Sequence, residues 1–250
     1  MERPLDGKVA LVTGAGRNIG RAIARRLARD GAAVLVNGRR DRAAIDAVVA
    51  EIAAEGGRAM GFVADVTDGE AVQRMVAAAV REFGGLDIVV SNAGLRRQTP
   101  FLEMGFAEWR EILGVALDGA FLLMRAAAPH LVERGGGAIV ALSGESTHLG
   151  TPNRCHVSAS KAGLEGLIRS LAVELAPHRI TCNCVSPGPI DTVRGASAGP
   201  LPAVGRADEV PLGRKGTVDE IAAMVRFLAG PEGAYVTGQT IHVNGGVYLT

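Results

Sequence analysis

The chain reads as an α/β protein with a doubly wound, seven-stranded parallel sheet and helices on both faces. Three observations predict this. Short, near-continuous apolar runs alternate with stretches of helical period, as βαβ units require. The first apolar run ends in a glycine-rich turn that leads into a helix. Finally, 250 residues with 48% hydrophobic content can bury one large core.

Taken in order, Val9–Val12, Ala33–Val36, Ala59–Val63, Leu86–Val90, Ala138–Leu142, Ile180–Val185 and Thr240–Val243 read as the seven strands. Between them the helical period is clear. Ile19, Ile23 and Leu27 share one face, and so do Val72, Met75, Val76, Ala79, Val80 and Phe83. Right-handed crossovers then give a Rossmann-type sheet as one dinucleotide-binding domain over residues 1–250. Residues 186–213, rich in Gly, Pro and Ala, are too long for an ordinary connection and are expected to act as a substrate lid.

Charge and composition exclude several classes. Twenty-seven basic and 26 acidic residues nearly cancel, leaving no footprint for nucleic acid or an anionic membrane. The start shows no apolar signal segment, and no apolar run is expected to span a bilayer, so the expected location is the cytoplasm. Cys155, Cys182 and Cys184 lack metal-ligand spacing and read as reduced core residues, with no metal site.

The glycine turn is Thr13-Gly14-Ala-Gly16-Arg17-Asn18-Ile19-Gly20. Glycines there permit a tight turn and let backbone amides approach a pyrophosphate at a helix N-terminus. Cofactor choice can be argued from charge. Enzymes for NAD usually carry a carboxylate after the second strand to bind the ribose 2′-hydroxyl. Here the stretch is Asn37-Gly38-Arg39-Arg40, with Arg17 on the same side. Guanidinium groups pair with phosphate, so NADP(H) is favoured and NAD(H) is the alternative. The competing reading of Arg39 and Arg40 is a solvated loop.

The spacing of this turn resembles that of the short-chain dehydrogenase/reductase family, and the resemblance covers essentially the whole chain. Asp65-Val66 follows the third strand where the family's Asp contacts adenine. Ser91-Asn92-Ala93-Gly94 resembles the family's Asn-Asn-Ala-Gly. Pro187-Gly188-Pro-Ile190-Asp-Thr192 resembles the loop that holds the nicotinamide amide, and Val236–Gly246 resembles the C-terminal strand. The resemblance is nearest to 3-oxoacyl-[acyl-carrier-protein] reductases. It implies an oxidoreductase with a small-molecule substrate, assembled as a homotetramer or homodimer through helices over 109–133 and 157–176 and the last strand.

The same resemblance exposes a gap. The family's reductases use Asn, Ser, Tyr and Lys together: Tyr donates a proton, Lys grips the ribose, Ser polarises the carbonyl and Asn anchors a water relay. By spacing the Lys is Lys161, but Ala116, Gly144 and Val157 stand at the other three positions. The standard mechanism therefore does not carry over. Stand-ins come from the polar stretch 143–156. His148 and Ser146 are candidates for the acid, histidine being suited to proton transfer near neutral pH. His156 adjoins position 157 but lies about 100° around the helix, where packing is its competing role. Ser143 is a further hydroxyl, and Glu145 reads equally as a solvated loop charge. Arg96, Arg97 and Arg154 can bind a carboxylate or phosphate on the substrate, or serve as solvated or subunit-contact residues.

Losing a positioned acid costs about 10²–10⁴ in rate, roughly 3–5 kcal/mol. Orientation of bound reactants supplies about 7–11 kcal/mol. Activity is thus compatible with the gap, provided another group handles the proton. Three readings follow: an NADP(H)-dependent oxidoreductase with a reassembled acid/base set, an enoyl- or dienoyl-reductase-like enzyme, or a non-catalytic dinucleotide-binding regulator or sensor.

Overall fold

The structure is a computed structural model that describes residues 3–193 and 210–250. Seven strands form one parallel sheet: β1 (Val9–Val12), β2 (Ala33–Gly38), β3 (Arg58–Val63), β4 (Ile88–Ser91), β5 (Gly137–Leu142), β6 (Ile180–Pro187) and β7 (Thr240–Val243). Their order is β3-β2-β1-β4-β5-β6-β7, so the winding reverses between β1 and β4. That switch point opens a crevice at the carboxyl ends of the strands.

Alternation along the strands splits the core in two. Ala10, Val12, Val34, Val36, Ile88 and Val90 pack against α1 (Asn18–Arg29), α2 (Arg42–Ala54) and α8 (Val218–Ala229). Val9, Leu11, Leu35, Val89, Ile139 and Ala141 face α3 (Gly69–Phe83), α5 (Gly119–Glu133) and α7 (Cys155–Glu174). Each fully buried aliphatic side chain contributes about 1.5–3 kcal/mol, so both faces must be covered for the sheet to persist. The remaining helices are α4 (Phe106–Leu113) and the short α6 (Ser146–Leu149).

Three expectations are refined. β4 starts at Ile88 because Asp87 is buried and its carboxylate accepts from the Val9 amide at 2.9 Å, fixing a polar pairing where the strand would begin. β2 and β6 run past their predicted ends to Gly38 and Pro187, carrying the sheet to the rim of the crevice. Of the expected lid, residues 194–209 lie outside the described residues; Ser186 and Pro187 belong to β6, and Ile190 bridges to Gly216.

One expectation is corrected. Among the described residues, the helix Phe106–Glu133 is long and apolar enough by length and composition to cross a bilayer, with mean hydropathy 1.5. Its apolarity has a use inside the fold: Ile112, Ala116, Ala120, Leu123, Met124, Ala127 and Leu131 are buried. This helix joins α4 to α5 through a π turn at Gly114–Asp118. Gly119 follows, where a Cβ would press on Val66 at 2.8 Å.

Candidate active site

The glycine turn builds one end of the site. Gly14 has φ +61°, and a Cβ there would lie 3.0 Å from Ala93. A Cβ on Gly20 would collide with the Gly14 carbonyl oxygen. At the head of α1, Arg17 makes no side-chain cap and the first turn holds no acidic residue. Its unpaired N–H groups, with the helix dipole behind them, therefore face an open cradle suited to an anion.

Asn92, expected to meet the cofactor, uses its amide to fasten this turn. Its Nδ2 donates to the Thr13 and Gly14 carbonyls at 2.9 Å each. Asn37 does similar work from β2, donating to the Phe62 and Ala64 carbonyls. These two side chains hold β1, β2, β3 and β4 together at the crevice.

Gly14, Gly16, Arg17, Asn18, Ile19, Gly20, Arg39, Asp65, Val66, Asn92, Ala93, Gly94, Arg96 and Thr192 line one groove of about 390 Å³. Arg39 and Arg40 stand at its β2 end. Arg39 Nε donates to Asp65 at 2.7 Å. Burial would raise the Asp65 carboxyl, but hydrogen bonds from Thr67 and the Arg39 charge outweigh it and hold it below the usual range. Asn18, with φ +50°, clasps the loop after β6: its Nδ2 donates to the Val193 carbonyl at 2.9 Å and its Oδ1 accepts from the Val193 amide at 3.1 Å.

Lys161 lies next to the lining residue Gly94. Its ammonium donates to the Leu142 carbonyl and lies 3.7 Å from where a Cβ on Gly94 would sit. Burial lowers its pKa to about 8, helped by the Arg96 charge and opposed by Cys184 and Glu165.

Comparison with known proteins fits this geometry. The family profile described as enoyl-(acyl carrier protein) reductase matches residues 14–248. The chain is 40% identical over 242 residues to the 3-oxoacyl-[acyl-carrier-protein] reductase FabG of Staphylococcus aureus, covering 97% of this chain and 98% of that one. A dehydrogenase/reductase from Sinorhizobium meliloti superposes with a TM-score of 0.91 at 37% identity, over 99% and 98% of the two chains. A blue fluorescent protein from a metagenomic library, solved in complex with NADPH, gives a TM-score of 0.89 at 36% identity, over 98% and 100%. The chain belongs to the short-chain dehydrogenase/reductase family. It is an oxidoreductase of that family.

Within this short-chain dehydrogenase/reductase, the stretch expected to supply an acid divides between two surroundings. Val157, Lys161 and Glu165 recur every four residues along one face of α7, and Val157 is 6% exposed. Glu165, 4% exposed, accepts a hydrogen bond from Ser143 and pairs with His148 Nε2 at 3.1 Å. His148 is thereby drawn to a residue two helical turns along α7 from Val157. Its ring also packs between His242 and Tyr248, with centroids 4.7 and 4.9 Å away. Burial and the charge of His148 lower the pKa of His242. Ser146 is buried at the start of α6, and its carbonyl accepts from Ser158.

Other expected residues lie elsewhere. His156 is fully buried between α4 and α7, 3.1 Å from Glu108, which also accepts from Thr99 at 2.6 Å. These bonds, Thr99 first, hold the Glu108 carboxyl below its usual range. Arg97 is paired with Glu111 on α4 at 2.5 Å. Gly188 abuts the end of β7, where a Cβ would lie 2.5 Å from Asn244, and Ile190 packs on the core beneath α8. Sequence reasoning missed Asn37, Leu95, Val115 and Val193 in the groove, and Glu165 behind it. Glu165 had a signal: a carboxylate four residues after Lys161 on the same helical face.

Proposed function

We propose that this enzyme is an NADP(H)-dependent reductase of the carbonyl of a 3-oxoacyl thioester, acting without a tyrosine acid. The observation that carries the reading is the groove itself: arginines 17, 39 and 40 line it beside the end of β2, suited to an adenosine ribose phosphate, and the Lys161 ammonium lies close to Gly94, another of its lining residues. The cradle at Gly14 and Gly20 and the uncapped start of α1 fit a pyrophosphate, and the absence of a carboxylate on Gly38-Arg39-Arg40 fits a 2′-phosphate. Relatives named as 3-oxoacyl-[acyl-carrier-protein] reductases and the neighbour in complex with NADPH support it.

When bound, the nicotinamide supplies a hydride. Arg39 and Arg17 hold the phosphate end. Lys161 holds a proton at Nζ at neutral pH and steadies the ribose end. Arg96, beside Lys161, gives an anionic or polar substrate tail a partner. The enzyme works in the cytoplasm as a homotetramer, for which Phe121 on α5 and Val173 on α7 provide exposed apolar contacts.

Calorimetry is expected to show NADPH binding about ten-fold or more tighter than NADH. Acetoacetyl-coenzyme A should drive NADPH oxidation, and Lys161→Ala should weaken dinucleotide binding. Equal affinities for the two cofactors, or no oxidation with the thioester, would overturn the reading.

A further inference from the structure

The loop between β5 and α6 holds a carboxyl group that no role so far uses. Glu145 follows Gly144 at the carboxyl end of the sheet, where doubly wound folds bind their ligands. Its backbone is fixed from two sides. The Glu145 amide donates to the Pro187 carbonyl at the end of β6 at 3.2 Å. Its carbonyl accepts from the His148 and Leu149 amides at 2.9 and 3.1 Å. Beside it the space is open, since a Cβ on Gly144 would meet nothing within 4 Å. Yet the Glu145 Oε2 is buried and has no hydrogen-bond partner.

An ionised carboxylate with a buried, unpartnered oxygen is costly, whereas a neutral carboxyl carries an O–H donor waiting for an acceptor. Neighbouring groups are engaged or lack a proton. His148 is held by Glu165, Ser143 donates to the same carboxylate, and Val157 has no proton to give.

We propose that Glu145 is the proton donor of the reduction, handing its carboxyl proton to the substrate's carbonyl oxygen. This role rests on the reductase activity proposed for the chain. As the carbonyl carbon accepts a hydride, the O–H bond of Glu145 breaks and a new O–H bond forms on the substrate oxygen. The product is an alcohol, and the Glu145 carboxylate regains its proton from water. Burial pushes the Glu145 carboxyl up to about 7, against the opposing pull of the Arg154 guanidinium at the start of α7. Arg154 is the charge that acts on it; Lys161, on the same helix, is held at the Leu142 carbonyl. The acid form is therefore populated at neutral pH, where a donor of matched pKa is most effective.

Two measurements test this, one of them independent of turnover. In the cofactor-free protein, infrared difference spectra between wild type and Glu145→Gln should show a protonated carboxyl band that titrates near pH 7. Arg154→Met should move that midpoint upward, because it removes the charge that lowers it. In kinetics with acetoacetyl-coenzyme A, Glu145→Gln should bind NADPH as wild type does and lose about 10²-fold or more in kcat. Glu145→Asp should recover part of the loss. Activity of the wild type should fall as pH rises through about 7, and this limb should vanish in Glu145→Gln.

A carboxyl that titrates near the ordinary value of about 4.3, or a Glu145→Gln enzyme with unchanged kcat and pH profile, overturns the donor role while leaving the reductase reading intact. A wild-type enzyme that binds NADPH but does not oxidise it overturns the reductase reading, and the donor role with it.

Discussion

The guanidinium of Arg39 lies 2.7 Å from Asp65, so on the proposed reading a 2′-phosphate competes with a carboxylate for the same donor. The exchange is favourable because a phosphate offers more acceptor oxygens and more charge, and the Arg39–Asp65 pair is partly exposed, hence weak. Replacing Arg39→Asp is expected to weaken NADPH by about 10–100-fold and NADH by much less, as read by calorimetry. A loss equal for both cofactors would place Arg39 in the fold and not in cofactor choice. His156 shows the opposite outcome at the same scale. Next to Val157 it is a candidate acid with packing as the competing role, and the helical offset turns it to Glu108, where it holds α4 against α7.

At the scale of elements, the sequence displays its helix signals locally. Thr217 and Glu220 form a capping box at the start of α8, and Asp41 and Asp68 cap α2 and α3. The clasp between Asn18 and Val193 is not local; it joins the head of α1 to the loop after β6 across 175 positions. It holds one wall of the groove over the inner site. Asn18→Gly keeps the positive φ of that position while deleting both hydrogen bonds. The expected result is an NADPH Kd raised about 3–10-fold with a faster off-rate, measured by stopped-flow fluorescence. An unchanged off-rate would show that the clasp does not restrain the groove. The π turn at Gly114–Asp118 forms with Ala116 buried inside it, so no polar side chain at that position takes part in it.

Over the whole molecule, stability depends on the sheet being sealed on both faces and on a few polar ties at its ends. Asp87 is the principal tie at the amino ends of the strands. It accepts from the Val9 amide at 2.9 Å and pairs with Lys8 and Arg134 at 3.1 Å each. Lys8 and Arg134 are partly exposed and can return to water, but the Val9 N–H cannot. Asp87→Ala should therefore cost about 1–3 kcal/mol in urea denaturation, with NADPH selectivity unchanged. A cost below 0.5 kcal/mol would mean that solvent repairs the site.

By itself the sequence determined the sheet, its two-sided core, the glycine turn and the arginines beside the end of β2. Each rests on short-range signals: apolar runs, helical period, glycines at a turn, and charge next to a strand end. All seven strands lie within one residue of their predicted limits at each end, except where β6 reaches Pro187 for Val185 and β2 reaches Gly38 for Val36, and where β4 is delayed by Asp87. Only the tertiary structure decided the partners of the polar side chains in 143–156. His148 and Glu165 are 17 positions apart, and Glu145 meets the end of β6 from 42 positions away; no local pattern records either contact. Burial did the rest. It is a property of the packed surroundings, and it pushes the Glu145 carboxyl, which in the sequence reads equally as a solvated loop charge, up to about 7.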